Sequence, residues 1–216
     1  MSEPKEQATR LEPVVPGLWR WSVDEQRIGG RESDAYALDW NGRSVLVDPL
    51  PLLESELRRL GEVRAIVLTA SCHQRSAWRY RRLLDAPVYA PEGAAGLEEE
   101  PDERYGAGDT LPGGIVTFHT PGPTEAMYAL WITRPRSAIF LSDLLVHDGS
   151  GLPRFIEPQY QDDPLRTRLS VRRVLERLPP LDLLLFGHGP PIVGGGSAAL
   201  RRALDEDHAF PGLPAY

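Results

Sequence analysis

One cysteine, Cys72, one lysine, Lys5, and five histidines stand in a chain of 216 residues. A lone cysteine excludes an intramolecular disulfide framework and suits a reducing compartment. No apolar run approaches the roughly 20 residues that a membrane helix needs; residues 181–186, among the most apolar, are interrupted by Asp182. The first ten residues are polar and lack the apolar stretch of a signal peptide, so a cytoplasmic location is expected. Twenty-four basic against 31 acidic residues leave a net charge of −7, an acidic balance that argues against nucleic acid or an anionic membrane as a partner. Two stretches, 79–82 and 166–177, are locally basic, but arginines spaced along helices read as solvated faces.

What is present is a single α/β pattern. Residues 17–23 and 34–40 alternate apolar and polar side chains, and Asn41-Gly42 supplies a hairpin turn before the strand 43–47. Leu53, Leu57 and Leu60 share a helical face that Gly61 ends. A buried strand at 63–69 then opens into a loop at 70–75, a helix over 76–84 and a short strand at 87–90. Residues 91–108, rich in Glu, Gly and Pro, are expected to form an exposed connection with one short turn of helix. A second β region follows at 114–119, 126–132 and 137–141, then a helix over 164–178, a last buried strand at 181–186 and a helix in the tail from Ser197. Two meanders, each followed by helices, predict sheets packed on each other with helices outside. The first ten residues are expected to be a disordered tail, 11–216 one domain, and 211–216 frayed.

The unusual polar residues fall in the loops after successive strands: Asp48, the 70–75 loop, His119 to Thr124, Asp143 and His188. Val47-Asp48-Pro49-Leu50, Ile66-Val67-Leu68-Thr69 with the six residues after it, His119-Thr120-Pro121-Gly122-Pro123-Thr124, Phe140-Leu141-Ser142-Asp143 and Phe186-Gly187-His188-Gly189 occur in that order. This ordered set, spanning about Leu11 to Gly196, resembles the metallo-β-lactamase-fold hydrolases, which include the hydroxyacylglutathione hydrolases. The resemblance implies a four-layer αββα sandwich. It also implies a pocket in which imidazoles and carboxylates bind one or two zinc or iron ions, whose bound water attacks a carbonyl or phosphoryl centre.

Carried over position by position, however, the family's ligands fall on Ala70, Cys72, Gln74, Arg75, Pro123, Asp143 and His188. Ala70 and Pro123 have no donor atom, Gln74 is a poor zinc ligand, and the guanidinium of Arg75 has no lone pair to give. A two-metal centre is therefore not expected, and what remains is no metal or a single zinc or iron ion held by Cys72, Asp143 and His188. Asp143 and His188 are the candidate catalytic residues. Arg75, a fixed cation at a ligand position, is expected to pair with Asp143 in place of the lost metal.

His73 lies one residue out of register. If the loop is extended there, Cys72 and His73 point to opposite sides, and His73 reads as a surface or supporting residue. His119 and His147 read as structural or loop residues, Asp48 as a brace for the 70–75 loop, and His208 carries no motif. Gly194-Gly195-Gly196-Ser197 lacks the lysine of a phosphate-binding loop, and no Gly-x-Ser-x-Gly elbow occurs. Two functional readings stay open: a pocket kept for small-molecule binding without two-metal hydrolysis, or a hydrolase of a small ester or thioester with one metal or none. About 20 residues follow Gly196, too few for a separate substrate domain, which makes a glutathione thioester a less expected substrate. Apolar faces could also pair subunits into a homo-oligomer.

Overall fold

Seven strands build the first sheet in chain order: β1 (Glu12–Val15), β2 (Leu18–Glu25), β3 (Arg31–Trp40), β4 (Arg43–Val47), β5 (Glu62–Val67), β6 (Val88–Pro91) and β7 (Glu103–Tyr105) in the computed structural model, which describes residues 3–207. The first four are antiparallel. Asn41 and Gly42, both at positive φ (56° and 79°), make the tight turn between β3 and β4 that a right-twisted hairpin requires. From β4 to β7 the pairing is parallel. Its crossovers carry α1 (Glu54–Leu57), continued by a 3-10 turn to Leu60, and α2 (Ala77–Leu84).

The second sheet takes β8 (Thr110–Leu111), β9 (Ile115–His119), β10 (Tyr128–Ile132) and β11 (Ala138–Phe140). A two-stranded ribbon, β12 (Leu145–Val146) and β13 (Arg154–Phe155), leads to α3 (Pro164–Arg177). Then β14 (Leu183–Leu185) joins the sheet parallel to β11, and β15 (Ile192–Val193) closes its edge before α4 (Gly196–Asp205). The Asp163 side chain caps α3 by accepting the Arg166 N–H at 3.0 Å, with Pro164 in the first helical position, where its missing N–H leaves no bond unmade.

The period-two alternation of the strands divides the core into three layers. Leu46 and Ile66 face the helix side with Leu57, Trp78 and Tyr80, whereas Val45, Val47, Ala65 and Val67 face the other sheet and meet Leu130, Phe140, Leu183 and Leu185. Ile139, Leu184 and Phe186 turn outward against Val171 and Val174 of α3 and Leu200 of α4. The expected αββα sandwich is the observed one.

Two expectations are corrected. Residues 3–10, expected as a disordered tail, are docked: Ala8 exchanges backbone hydrogen bonds with Pro51 and Leu53 at 2.9 Å, and the Glu3 carboxylate accepts from Ser76 and Arg79 at 2.7 Å. The connection 91–108 contains strand β7, whose Tyr105 hydroxyl donates to the Leu68 carbonyl at 2.6 Å beneath the first sheet's strand ends. His208 and residues 211–216 lie outside the described residues. Among the described residues, no helix is long and apolar enough to cross a membrane.

Candidate functional site

The parallel pairs β4/β5 and β11/β14 bring four strand ends together: Asp48 follows β4, Thr69 follows β5, Ser142 and Asp143 follow β11, and residues 187–189 follow β14. Two of these positions, Asp48 and Ser142, and Arg75 in the loop after β5 are non-glycine residues at positive φ (45°, 51° and 36°). Such backbone costs about 1–3 kcal/mol per residue and persists only where surrounding bonds over-determine it. Those bonds are present. Asp48 accepts the Thr69 N–H at 2.8 Å and its hydroxyl at 2.5 Å, and the Thr69 hydroxyl lies 2.8 Å from that of Ser142 across the sandwich.

His73 is the centre of this network. Residues 71–73 form a 3-10 turn instead of an extended loop, so the expectation that Cys72 and His73 diverge fails for a physical reason: a turn, unlike a strand, does not alternate its side chains. Cys72 is exposed, yet its sulfur, a His73 ring nitrogen and an Asp143 oxygen lie within 4.8 Å of one another. The His73 side chain, 5% exposed, stands between two carboxylates, with Nδ1 2.9 Å from Asp48 Oδ2 and Nε2 3.1 Å from Asp143 Oδ2. Burial alone would lower its pKa, but Asp143, Cys72 and Asp48 raise it well above the ordinary histidine range. Burial likewise works against the Asp143 carboxylate, but the imidazoles of His73 and His188 hold its pKa well below the usual range. His73, read from the sequence as a surface or supporting residue, thus joins the site.

Arg75 does not make the contact expected of it. Its guanidinium donates to the backbone carbonyls of Asp34 at 2.7 Å and Asp48 at 3.2 Å, tying β3 to the end of β4, while His73 takes the place beside Asp143. The signal that could have shown this was the histidine one residue out of register, whose side chain a 3-10 turn carries inward.

His188 stands on the far side of Asp143. Its Nδ1 donates to the Glu32 carbonyl at 2.8 Å, since a carbonyl only accepts, and its Nε2 lies 3.3 Å from Asp143 Oδ1. That contact lacks hydrogen-bond geometry, so the buried Oδ1 has no donor among the described residues. A second acid holds the same loop: Asp34 takes the Arg20 Nε–H at 2.5 Å and the Gly189 N–H. Burial pushes the Asp34 carboxyl up to about 7, against the pull of Arg20 and the Gly189 N–H toward its charged form. Of the other histidines, His119 Nε2 donates to the Glu125 carbonyl at 2.7 Å, and His147 Nδ1 to that of Pro190 at 2.7 Å.

Beyond Asp143 and His188 opens a cavity of about 1020 Å³, whose wall includes Arg31, Arg154, His147, Ile156 and Tyr160. Arg31 lies over the Tyr160 ring and donates to Glu157 at 2.8 Å. His147, read as a loop residue, thus borders the cavity, as does the 18%-exposed edge of Asp143.

The donor set tests whether metal fits. Ala70 and Pro123 contribute no ligand atom, and Gln74 is spent on Trp78 and the backbone of Glu98 and Gly96. Two ions do not fit these residues. One ion does: thiol, imidazole and carboxylate converge, and both His73 and His188 have Nδ1 fixed by an acceptor with Nε2 toward Asp143, the support that metal-bound histidines have.

No protein-family model matches the sequence, and no curated protein matches it. Solved structures do. DIM-1 metallo-β-lactamase superposes with a TM-score of 0.73 at 18% identity, covering 92% of this chain and 95% of that one. The metallo-β-lactamase from Pontibacter korlensis gives 0.71 at 15%, covering 93% and 100%. FIM-1 from Pseudomonas aeruginosa, in a mono-zinc form, gives 0.69 at 14%, covering 95% and 98%. The chain therefore has the metallo-β-lactamase fold.

Proposed function

We propose that the chain keeps this metallo-hydrolase fold without two-metal hydrolysis and uses the cavity beside Asp143 to bind a small molecule. The observation that carries the reading is His73 between Asp48 and Asp143: a protonated imidazole there neutralises carboxylates that would otherwise call for a cation. Asp143 and His188 then act as polar groups of a cavity whose lining is partly apolar, with Ile28, Val146 and Ile156, the usual composition of a small-molecule site. The free, exposed Cys72 is consistent with a reducing, cytoplasmic setting.

A second reading has one observation in its favour, the buried Asp143 Oδ1 without a donor. A single zinc or iron held by Cys72, His73 and Asp143, with His188 alongside, would give that oxygen a partner and act as a Lewis acid on an ester or thioester carbonyl. The original three, Cys72, Asp143 and His188, remain within this set.

Metal content of protein purified without chelator, followed by thermal shift on adding zinc, separates the readings. The first expects metal-free protein whose Tm is unmoved by zinc. One equivalent of zinc that raises Tm, and that is lost in both His73→Ala and Asp143→Ala, overturns it in favour of the second.

A further inference from the structure

Helix α3 carries the arginine run 166–177, and the fold treats its members differently. Arg166 is paired with Glu125, and Arg168 with Asp207 at 2.6 Å. Arg173 and Arg177, one helical turn apart, have no carboxylate partner among the described residues; the one hydrogen bond of Arg173 goes to the Ser170 hydroxyl at 2.9 Å, and Arg177 makes none. Many other arginines of this acidic protein, among them Arg20, Arg31, Arg43, Arg79, Arg81 and Arg104, do find acids.

Both free arginines border one cavity, of about 370 Å³, between α3, β9 and the loop at Ala107 and Gly108. It shares no lining residue with the cavity at Asp143. No carboxylate lines it, and His119 is the third group there able to carry positive charge. The nearby Asp109 carboxylate is turned to the Gly106 N–H at 2.7 Å. Val116 and Phe118, both half-buried, give the cavity an apolar wall.

We propose a second binding site in this cavity, for a small organic oxyanion: a carboxylate or phosphate head between Arg173 and Arg177, and an apolar body against Val116 and Phe118. Guanidinium groups present paired N–H donors that match such heads, and Ser170 already fixes one of the two. The volume lies within the roughly 300–1,000 Å³ of ligand pockets.

Calorimetric titration of the full chain with phenyl phosphate, benzoate and inorganic phosphate tests this, using wild type, Arg173→Gln/Arg177→Gln and Asp143→Asn. Both arginines are exposed, so the double substitution leaves folding intact. Phenyl phosphate or benzoate should bind saturably and more tightly than inorganic phosphate, and the tighter of the two identifies the head group. The double substitution should weaken that binding about tenfold or more, equivalent to about 1.4 kcal/mol, and Asp143→Asn should leave it unchanged. Absence of saturable binding by either organic probe overturns the proposal. So does binding that survives the arginine substitutions, binding that is lost in Asp143→Asn, or inorganic phosphate binding as tightly as the organic probes.

Discussion

Asp34 and Asp143 are two acids beside the same loop, 187–189, and their surroundings push their protons in opposite directions. Asp34 has both oxygens filled, by Arg20 and by the Gly189 N–H, and its side chain has no solvent exposure. Burial nevertheless raises it to about 7. Asp143 is flanked by two imidazoles, keeps one oxygen without a donor, and shows an edge to the large cavity; its carboxylate is held well below the usual range. Saturated bonds and full burial mark a structural clamp. An unfilled oxygen on a side chain whose edge reaches a cavity marks a place where something binds.

The clamp should break hardest. Gly189, at φ 97°, would place a Cβ 1.5 Å from the His147 carbonyl oxygen, so Gly189→Ala forces the backbone apart. A loss of more than about 4 kcal/mol in urea unfolding, or no folded protein, is expected. Asp34→Ala leaves two buried donors, the Arg20 Nε–H and the Gly189 N–H, without their acceptor, although Arg20 keeps Glu32 and Glu12, and should cost about 3–5 kcal/mol. Asp143→Asn should cost less, about 1.5–3 kcal/mol, because His73 keeps Asp48 as a partner. An Asp143→Asn loss equal to that of Asp34→Ala would erase the distinction between clamp and binding site.

The same distinction explains what was legible in the sequence. The hairpin at Asn41-Gly42, the strand 43–47 and the helix α3 were readable because turn chemistry and side-chain periodicity are local. The Thr-Pro-Gly and Gly-His-Gly segments were readable because their glycines serve packing: a Cβ on Gly122 would lie 2.4 Å from the Thr167 nitrogen, just as one on Gly189 would strike His147. Those glycines hold the fold by packing alone, so the fold needs no ligand atom at Ala70 or Pro123. The placement of His73 was not legible, because it depends on a three-residue 3-10 turn and on Asp48 and Asp143, which come from different sheets. Arg75 was misassigned to Asp143 for the same reason. The strands β7, β12, β13 and β15, two or three residues each, are too short to show a period.

The pH dependence separates the two acids most cleanly, because their pH windows differ. An unfolded Asp titrates near ~3.9, whereas folded Asp34 titrates at about 7. The native chain therefore holds a proton that the unfolded chain has released, and stability from Asp34 is full below about pH 4 and lost as pH rises through 7. His73 is raised above about 6.5, so its contribution is full below that pH and lost only as pH rises through its higher folded value. Asp143 is depressed; its contribution is present above about pH 3.9 and lost as pH falls from there. Each single-proton slope is at most about 1.4 kcal/mol per pH unit. Urea midpoints measured from pH 4.5 to 9 should fall across the whole range in wild type. Asp34→Asn should flatten the fall below pH 7, and Asp143→Asn, by removing the charge that favours His73 protonation, should flatten it above pH 7. If Asp143→Asn leaves the upper limb unchanged, His73 is not protonated against Asp143, and the cation that balances that carboxylate has to come from outside the chain.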